Sequence, residues 1–148
     1  MSRVVDVQCG FDYRPGSALN AQMSARYCIA AALTDGAVLP AQFTPARVAA
    51  NDLVDLAQAV ELVPDPALDK IYPEHFIGWV ELDGERITVR DPSGSPENPA
   101  RDAALRQKFH NLLGDRVPET TRARLEQAVG ALERTSARAL GELLTVQS

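Results

Sequence analysis

The stretch from His75 to Asp91, "HFIGWVELDGERITVRD", constrains the fold more than any other part of the sequence. Apolar and polar residues alternate on both sides of its central dipeptide, as they do in two strands that each turn one face toward a core. That dipeptide, Asp83-Gly84, suits the two central positions of a type I′ turn. The pattern therefore predicts a two-stranded antiparallel hairpin, which the rest of the chain must accommodate.

Two further segments read as strands. "RVVDVQC" near the N-terminus alternates apolar residues before "YRPGS" breaks the pattern, and "VELVPD" is a short apolar run that ends at a proline. Between them, Leu19 to Leu33 is rich in alanine and unbranched residues, and Gly36 follows as a stop signal. This composition predicts one continuous helix.

Capping residues predict several more helices. Thr44 followed by Pro45 is typical of a helix start, and Asn51 is suited to cap a second short helix. In the same way, Asn98 and Pro99 predict the start of a longer helix that Gly114 ends. Two helices follow, one from Pro118 with Leu125, Val129 and Leu132 as its apolar stripe, and one with Leu140, Leu143 and Leu144.

The order of these elements indicates the fold class. Strands concentrate in the middle of the chain, helices flank them, and no βαβ alternation is present. Such an order predicts an α+β fold, here a two-layer sandwich in which helices cover an antiparallel β-sheet and the C-terminus is helical. The length of 148 residues fits a single domain, 1–148.

Charge and composition exclude several classes of protein. The formal net charge is −5 and the arginines are scattered, so we expect neither a nucleic-acid partner nor binding to an anionic membrane. No window of about 18 apolar residues is present, so no transmembrane span is predicted. The N-terminus "MSRVVDVQC" lacks the features of a signal peptide, which makes a cytoplasmic location the expectation.

The sequence gives no sign of a metal or cofactor site. Cys9 and Cys28 are the only cysteines, without a CxxC pair or nearby histidines, and both are expected to be buried thiols. The motifs of a nucleophile elbow, a Walker loop and a dinucleotide-binding fold are absent. His75 and His110 have no catalytic partner close in sequence. By itself, the chain does not resemble a complete active site.

Three motifs, in this order, resemble the C-terminal small domain of the MmgE/PrpD family. The first is a helix of the type S-x-x-Y-x-x-A-x-A-L-x-D-G, the second is a strand that ends in a DG turn, and the third is a G-x-P-x-N-P loop before a helix that contains K-F. The matching residues are Ser24, Tyr27, Ala30, Ala32, Leu33, Asp35 and Gly36, then Asp83 and Gly84, then Gly94, Pro96, Asn98, Pro99, Lys108 and Phe109. The resemblance covers nearly the whole chain.

The resemblance implies a lyase or isomerase that works by proton abstraction next to a carboxylate, as in 2-methylcitrate dehydratase, cis-aconitate decarboxylase and iminodisuccinate epimerase. It implies no cofactor, a small carboxylic acid as substrate, and a homodimer. It also implies a partner: family members have a large helical domain that this chain lacks, so the chain is expected to be a trimmed piece or a free-standing small subunit that needs a helical large domain or subunit for activity.

The same resemblance implies the site residues. Tyr27 is the implied catalytic residue, with Ser24 one helical turn earlier on the same face. A phenol can donate a hydrogen bond to developing negative charge or pass a proton; alternatively, Tyr27 is a core aromatic residue. Arg26 could bind a substrate carboxylate or simply lie on a solvated helix face. Met23 occupies a position where dehydratase and decarboxylase members often have a histidine.

Two other functions remain open. The domain could be a non-catalytic binding or assembly module that retained the fold, a hypothesis that the methionine at position 23 motivates. Alternatively, it could have chemistry of its own, with Tyr72, Glu74 and His75 of the "YPEH" loop as the polar cluster to test.

Overall fold

The computed structural model describes residues 1–145, apart from the side chain of Asp115. The chain divides into two compact units, Met1–Ala100 and Arg101–Ser148. The first contains six α-helices and a β-hairpin, and the described part of the second contains three α-helices. The α+β class with a helical C-terminus is thus confirmed, while the single domain over 1–148 stays a prediction.

The helices of the first unit are short. In chain order they are α1 (Arg3–Cys9), α2 (Ala18–Met23), α3 (Ala25–Asp35), α4 (Pro45–Val48), α5 (Asn51–Ala59) and α6 (Pro66–Asp69), with a 3₁₀ turn at Pro40–Phe43.

The predicted continuous helix is two helices, because Ser24 interrupts it. Ser24 has extended backbone angles (φ −91°, ψ 116°) and serves as the C-cap of α2 and the N-cap of α3. At the other end of α3, Gly36 adopts a left-handed conformation (φ 68°), as expected for a glycine that ends a helix. The stop signal was therefore predicted correctly and the internal break was not.

The strand predicted for "RVVDVQC" is wrong, since these residues form α1. The hydroxyl of Ser2 accepts a hydrogen bond from the backbone N–H of Val5 (3.4 Å), which caps the helix. The strand predicted for "VELVPD" is also wrong. Its backbone hydrogen-bonds to the N-terminal residue, with Met1 N donating to the Val63 carbonyl (2.8 Å) and Asp65 N donating to the Met1 carbonyl (2.8 Å).

The hairpin is confirmed. Strands β1 (Gly78–Leu82) and β2 (Glu85–Val89) are antiparallel, and their register pairs Gly78 with Val89. Asp83 and Gly84 both have positive φ (52° and 81°), as a type I′ turn requires. Within the described residues the sheet has only these two strands, so the antiparallel sheet is smaller than the sequence suggests.

The core of the first unit is formed by helices α2 to α5 and the loop before α2. It is a cluster of eight buried residues, namely Tyr13, Ala21, Tyr27, Ala30, Ala31, Val48, Leu53 and Ala57. Half of them are alanines, which allow α2, α3 and α5 to approach closely. The small side chains thus account for the alanine-rich sequence of this segment.

The second unit contains α7 (Asp102–Leu113), α8 (Glu119–Gly130) and α9 (Ala137–Leu144). Helix α7 begins four residues after Asn98, with Arg101 as its N-cap, so the predicted start is wrong. Gly114 ends it, as predicted. Of the predicted stripe on α8, Leu125 is buried, whereas Val129 and Leu132 are exposed in this unit.

Candidate functional site

Tyr27 lies in the first turn of α3 and is fully buried (0% exposed). Its ring packs between Tyr13, at 4.8 Å between centroids, and Phe43, at 5.7 Å. Its hydroxyl donates a hydrogen bond to the backbone carbonyl of Gln42, in the 3₁₀ turn. Tyr27 therefore holds that turn against α3 and satisfies its own polar atom in doing so.

Burial also affects the acidity of this phenol. Loss of solvation, with a smaller contribution from the nearby Tyr13, raises the pKa of Tyr27 to about 12, while Arg47 opposes the shift. At neutral pH the group is therefore a neutral phenol. It can donate a hydrogen bond, but it is not set up to act as a base.

Ser24 is also fully buried and shapes the start of α3. Its hydroxyl oxygen accepts a hydrogen bond from the backbone N–H of Tyr27 (3.3 Å), one of the N–H groups at the helix start that has no partner within the helix. Ser24 and Tyr27 are predicted to share one helix face, and the structure brings them together. That face packs into the helical core of the first unit.

Arg26 points away from this core. Its guanidinium donates to the Val60 carbonyl, and its Nη2 lies 3.8 Å from an Asp12 carboxylate oxygen. The Nε of Arg26 is buried and makes no hydrogen bond to any residue that the structure describes. Met23, at the end of α2, is exposed. Of the four residues that the resemblance points to, Ser24 and Tyr27 are thus buried, and Met23 and Arg26 are more accessible.

A charged cluster next to Tyr27 links three helices. Arg47 donates from Nε (3.0 Å) and from Nη2 to the two carboxylate oxygens of Asp35, and from Nη1 to Asp52 (2.8 Å). Gln42 donates to the same Asp35 carboxylate (3.1 Å). The two-pronged bond from Arg47 lowers the pKa of Asp35. Asp35, at the end of α3, therefore anchors the 3₁₀ turn through Gln42, whose backbone carbonyl accepts the hydrogen bond from the Tyr27 hydroxyl.

A second polar cluster lies at the open end of the hairpin. Nδ1 of His75 is 3.0 Å from Oδ1 of Asp91, whose side chain is only 10% exposed. The backbone carbonyl of Asp91 accepts a hydrogen bond from the side-chain amide of Asn98 (3.0 Å). Asn98, predicted to cap a helix, instead closes the G-x-P-x-N-P loop onto Asp91.

We did not predict this pair from the sequence, although the hairpin register indicates it. The register pairs Gly78 with Val89. His75 lies three residues before Gly78 and Asp91 two residues after Val89, so extending the register outward brings the two side chains to the same end of the hairpin. The loop cluster proposed from "YPEH" joined His75 to Tyr72 and Glu74, whereas the observed partner is sixteen residues away in the sequence.

The first unit also has an open cavity of about 580 Å³ between helices and hairpin. Its lining is mainly apolar and includes Ile29, Leu33, Leu56, Val60, Trp79 and Leu82. Among the residues that the structure describes, no group of three or more histidine, cysteine or acidic side chains could hold a metal ion. Cys9 and Cys28, expected to be buried, are half-buried free thiols.

Within residues 1–145, no helix has both the length and the apolar character needed to cross a membrane.

Comparisons with known proteins place the chain in a family. The MmgE/PrpD C-terminal domain matches residues 2–134. A cis-aconitate decarboxylase-like protein of Aspergillus oryzae, oryM, is 34% identical to the chain over 142 residues, which cover 91% of this chain and 28% of that protein. The chain thus spans less than a third of the length of the curated relative that it matches. We conclude that the chain belongs to the MmgE/PrpD family, which it matches through the C-terminal domain.

Proposed function

We propose that this chain is the small-domain part of an MmgE/PrpD-type lyase or isomerase, and that it requires a helical large domain for turnover. The observation that carries the proposal is the match to the C-terminal domain over residues 2–134, in a chain that corresponds to 28% of its relative. The proposed substrate is a small carboxylic acid, and the proposed assembly includes a homodimer, as the family resemblance implies.

The proposed reaction removes or returns a proton at a carbon next to a carboxylate. In dehydration, the electron pair left on that carbon forms a double bond and expels hydroxide from the neighbouring carbon. In decarboxylation, the bond to carbon dioxide breaks, its electron pair stays with the carbon skeleton, and a proton is added there. In each case negative charge develops on carbon and spreads into a remaining carboxylate, and hydrogen-bond donors aimed at that charge lower the barrier. The enzyme must therefore supply a base and donors in a site that excludes water.

In this proposal Tyr27 is a donor and not the base. A phenol whose pKa is raised to about 12 stays protonated at neutral pH and can donate to a carboxylate. Its hydroxyl is bonded to the Gln42 carbonyl, so Tyr27 meets a substrate only when the Pro40–Phe43 turn moves away. Ser24 would hold the start of α3 in place, and Arg26, with its partly exposed guanidinium beside Asp12, would bind a carboxylate.

Exposed apolar side chains support the need for a large domain. On the hairpin, Val80, Leu82, Ile87 and Val89 are between 43% and 69% exposed. The register places Val80 opposite Ile87, so these side chains form a contiguous apolar surface on one face. Such surfaces commonly mark the contact site of another protein or domain.

The experiment combines the chain with a helical large domain of the family and supplies cis-aconitate and citrate. Cis-aconitate is the first choice because the Aspergillus oryzae relative is described as cis-aconitate decarboxylase-like. Carbon dioxide release, water loss or addition, and solvent-deuterium incorporation are measured together. We expect at least one of these reactions, and the absence of all three in a stable complex would contradict the proposal.

The alternative is a non-catalytic binding or assembly module. The observation that favours it is the burial of Tyr27, whose hydroxyl is already paired with Gln42. Tyr27→Phe and Ser24→Ala separate the two hypotheses in the active complex. Activity that is unchanged in both variants would favour the module, whereas a loss of kcat with unchanged affinity for the large domain would favour the catalytic role.

A further inference from the structure

The His75–Asp91 pair is built into the fold from both sides. The backbone N–H of His75 donates to the Ile71 carbonyl (2.9 Å), which fixes the approach to β1. The Asn98 side chain holds the Asp91 carbonyl, and the N–H of Gly94 donates to the Asn98 carbonyl (2.8 Å), which closes the loop after β2. Two backbones held in this way keep the imidazole and the carboxylate 3.0 Å apart.

This pairing determines which nitrogen of His75 carries the proton. A carboxylate only accepts hydrogen bonds, so the neutral imidazole donates from Nδ1 to Asp91 and carries its lone pair on Nε2. Within the described residues, Nε2 of His75 has no hydrogen-bond partner, and the side chain is 28% exposed. The result is an oriented imidazole with a free acceptor nitrogen near the surface.

The other candidates for proton transfer lack one of these properties. Tyr27 is fully buried and remains protonated at neutral pH. In the second unit, Nε2 of His110 lies 3.6 Å from a carboxylate oxygen of Glu126, so its outer nitrogen faces a carboxylate. Of the two histidines, and counting contacts within residues 1–145, only His75 directs Nδ1 to a carboxylate and leaves Nε2 without a hydrogen bond.

We propose that His75 is a proton-transfer residue of the enzyme and that Asp91 positions it. This inference rests on the proposed function. Nε2 of the neutral ring takes the proton from the carbon next to the substrate carboxylate: the C–H bond breaks, an N–H bond forms, and the electron pair remains on the carbon, delocalised into the carboxylate. Asp91 stabilises the imidazolium that results. The protonated ring then returns the proton to the carbon or passes it to the departing hydroxyl group.

The first test needs only the isolated chain. Nitrogen-15 NMR of the neutral His75 ring should show a protonated Nδ1 and an unprotonated Nε2. In Asp91→Asn, the new amide can donate to Nδ1, so the fraction with a proton on Nε2 should rise, while His110 is unchanged. A wild-type ring that carries its proton mainly on Nε2 would overturn the proposal whatever the complete enzyme does.

The second test uses the chain with a helical large domain and follows deuterium incorporation into citrate and cis-aconitate. His75→Asn can still donate one hydrogen bond to Asp91 but has no titrating nitrogen, so kcat should fall by about 10²-fold or more. The variant should also lose the rise of rate with pH that an imidazole base produces. Three charged groups could alter this rise: Asp91, which contacts the ring, Arg90, which lies 3.8 Å from the Asp91 carboxylate, and Glu74, which precedes His75 in the sequence.

His110→Asn is the matched control, because it removes the other histidine and should leave the rate unchanged. Wild-type activity and an unaltered pH profile in His75→Asn would overturn the proposal and leave the proposed function standing. A wild-type complex with no reaction on either acid would overturn both. Asp91→Asn should lower kcat and leave KM near the wild-type value, since Asp91 acts through His75.

Discussion

The helical segment of the first unit, which runs from α2 to α5 (residues 18–59), and the hairpin are stabilised in different ways. All eight residues of the buried core lie between residues 13 and 57, in the helical segment and the loop before it. The hairpin, residues 78–89, contributes none of them. Strand β1 is half-buried at its first two residues and exposed along the rest, and β2 is exposed throughout. The helical segment therefore buries its apolar side chains within the unit, whereas the hairpin leaves its apolar side chains exposed for contact with another domain.

Local interactions stabilise the hairpin, whereas contacts between residues distant in the sequence stabilise the helical segment. The hairpin forms because a local Asp-Gly turn and cross-strand neighbours favour it, including Arg86 stacked over Trp79 (4.1 Å) and bonded to Glu81. The helical segment is stable because distant residues meet, as Tyr13 and Phe43 do around Tyr27. A hairpin with two strands is marginal alone, which is why we expect it to depend more on a partner.

The largest effect should come from the centre of the helical core. Leu53 is fully buried, and Leu53→Ala leaves a cavity there, so we expect a loss of about 2–5 kcal/mol in the free energy of unfolding. Denaturant titration of the isolated chain measures it. The matched control is Leu82→Ala on the hairpin, where the side chain is 54% exposed and the loss should be below about 1 kcal/mol. Equal losses in the two variants would invalidate the comparison.

The Tyr27 hydroxyl should contribute less than Leu53. Tyr27→Phe keeps the ring and removes the bond to the Gln42 carbonyl, so a loss of about 1–2 kcal/mol is expected. The control is Tyr72→Phe, because that ring packs edge-on against Phe76 at 5.3 Å, outside the core cluster. A Tyr27→Phe variant as stable as the wild type would mean that this bond does not hold the turn.

The same residue predicts a dependence on alkaline pH. The folded pKa of Tyr27 is about 12, above the ordinary value of 10.0 that applies to the unfolded chain. The contribution of this group to stability is therefore complete below pH 10 and is lost as the pH rises from 10 through about 12, because only the unfolded chain ionises in that range. Denaturant titrations at several pH values over that interval should show a shallower loss of stability in Tyr27→Phe than in the wild type, and equal slopes would contradict the prediction.

The turn of the hairpin should give a smaller and more local effect. Gly84 has a φ of 81°, where a side chain is strained, so Gly84→Ala should cost about 1 kcal/mol. Gly78→Ala is the control, since its backbone is ordinary and an added Cβ meets nothing within 4 Å. Hydrogen exchange should rise in residues 78–89 of Gly84→Ala and stay unchanged in α3 and α5. An equal rise in those helices would show that the two regions unfold as one.

The smallest expected effect is at acid pH, at the edge of the helical segment. Arg47 lowers the pKa of Asp35, so the stabilisation from this pair is present above the unfolded value of 3.8 and is lost as the pH falls through the lower folded value. Replacing Arg47 by methionine should reduce the acid sensitivity of unfolding over that range. Thermal melts from pH 5 to 2 would detect it, and identical curves for the two proteins would contradict the prediction.

Elements that depend on interactions between residues close in the sequence were mostly predicted correctly, and elements that depend on distant residues were not. The hairpin and the Gly36 and Gly114 helix ends were predictable because each depends on residues a few positions apart. "RVVDVQC" is predicted as a strand but forms a helix, because its short apolar pattern fits either structure. The Ser2 side chain, which caps the helix, is the local feature that favours the helix. "VELVPD" could not be assigned, since its backbone partner is the distant Met1.

The candidate sites follow the same rule. Ser24 and Tyr27 were placed correctly on one turn, but their burial depends on Tyr13 and Phe43, which the local sequence does not reveal. The His75–Asp91 pair was within reach of prediction, because the hairpin register alone brings the two residues to one end. The assignment of Tyr27, Ser24 and Arg26 as site residues stays a prediction.

We propose, above all, that this chain is one part of an enzyme and is inactive without a helical large domain of the family. The most direct measurement is solvent-deuterium incorporation into citrate and cis-aconitate, by the chain alone and by the chain with a helical large domain of the family. We predict no incorporation above background by the chain alone, and incorporation that depends on both components. Full activity from the isolated chain would contradict the claim.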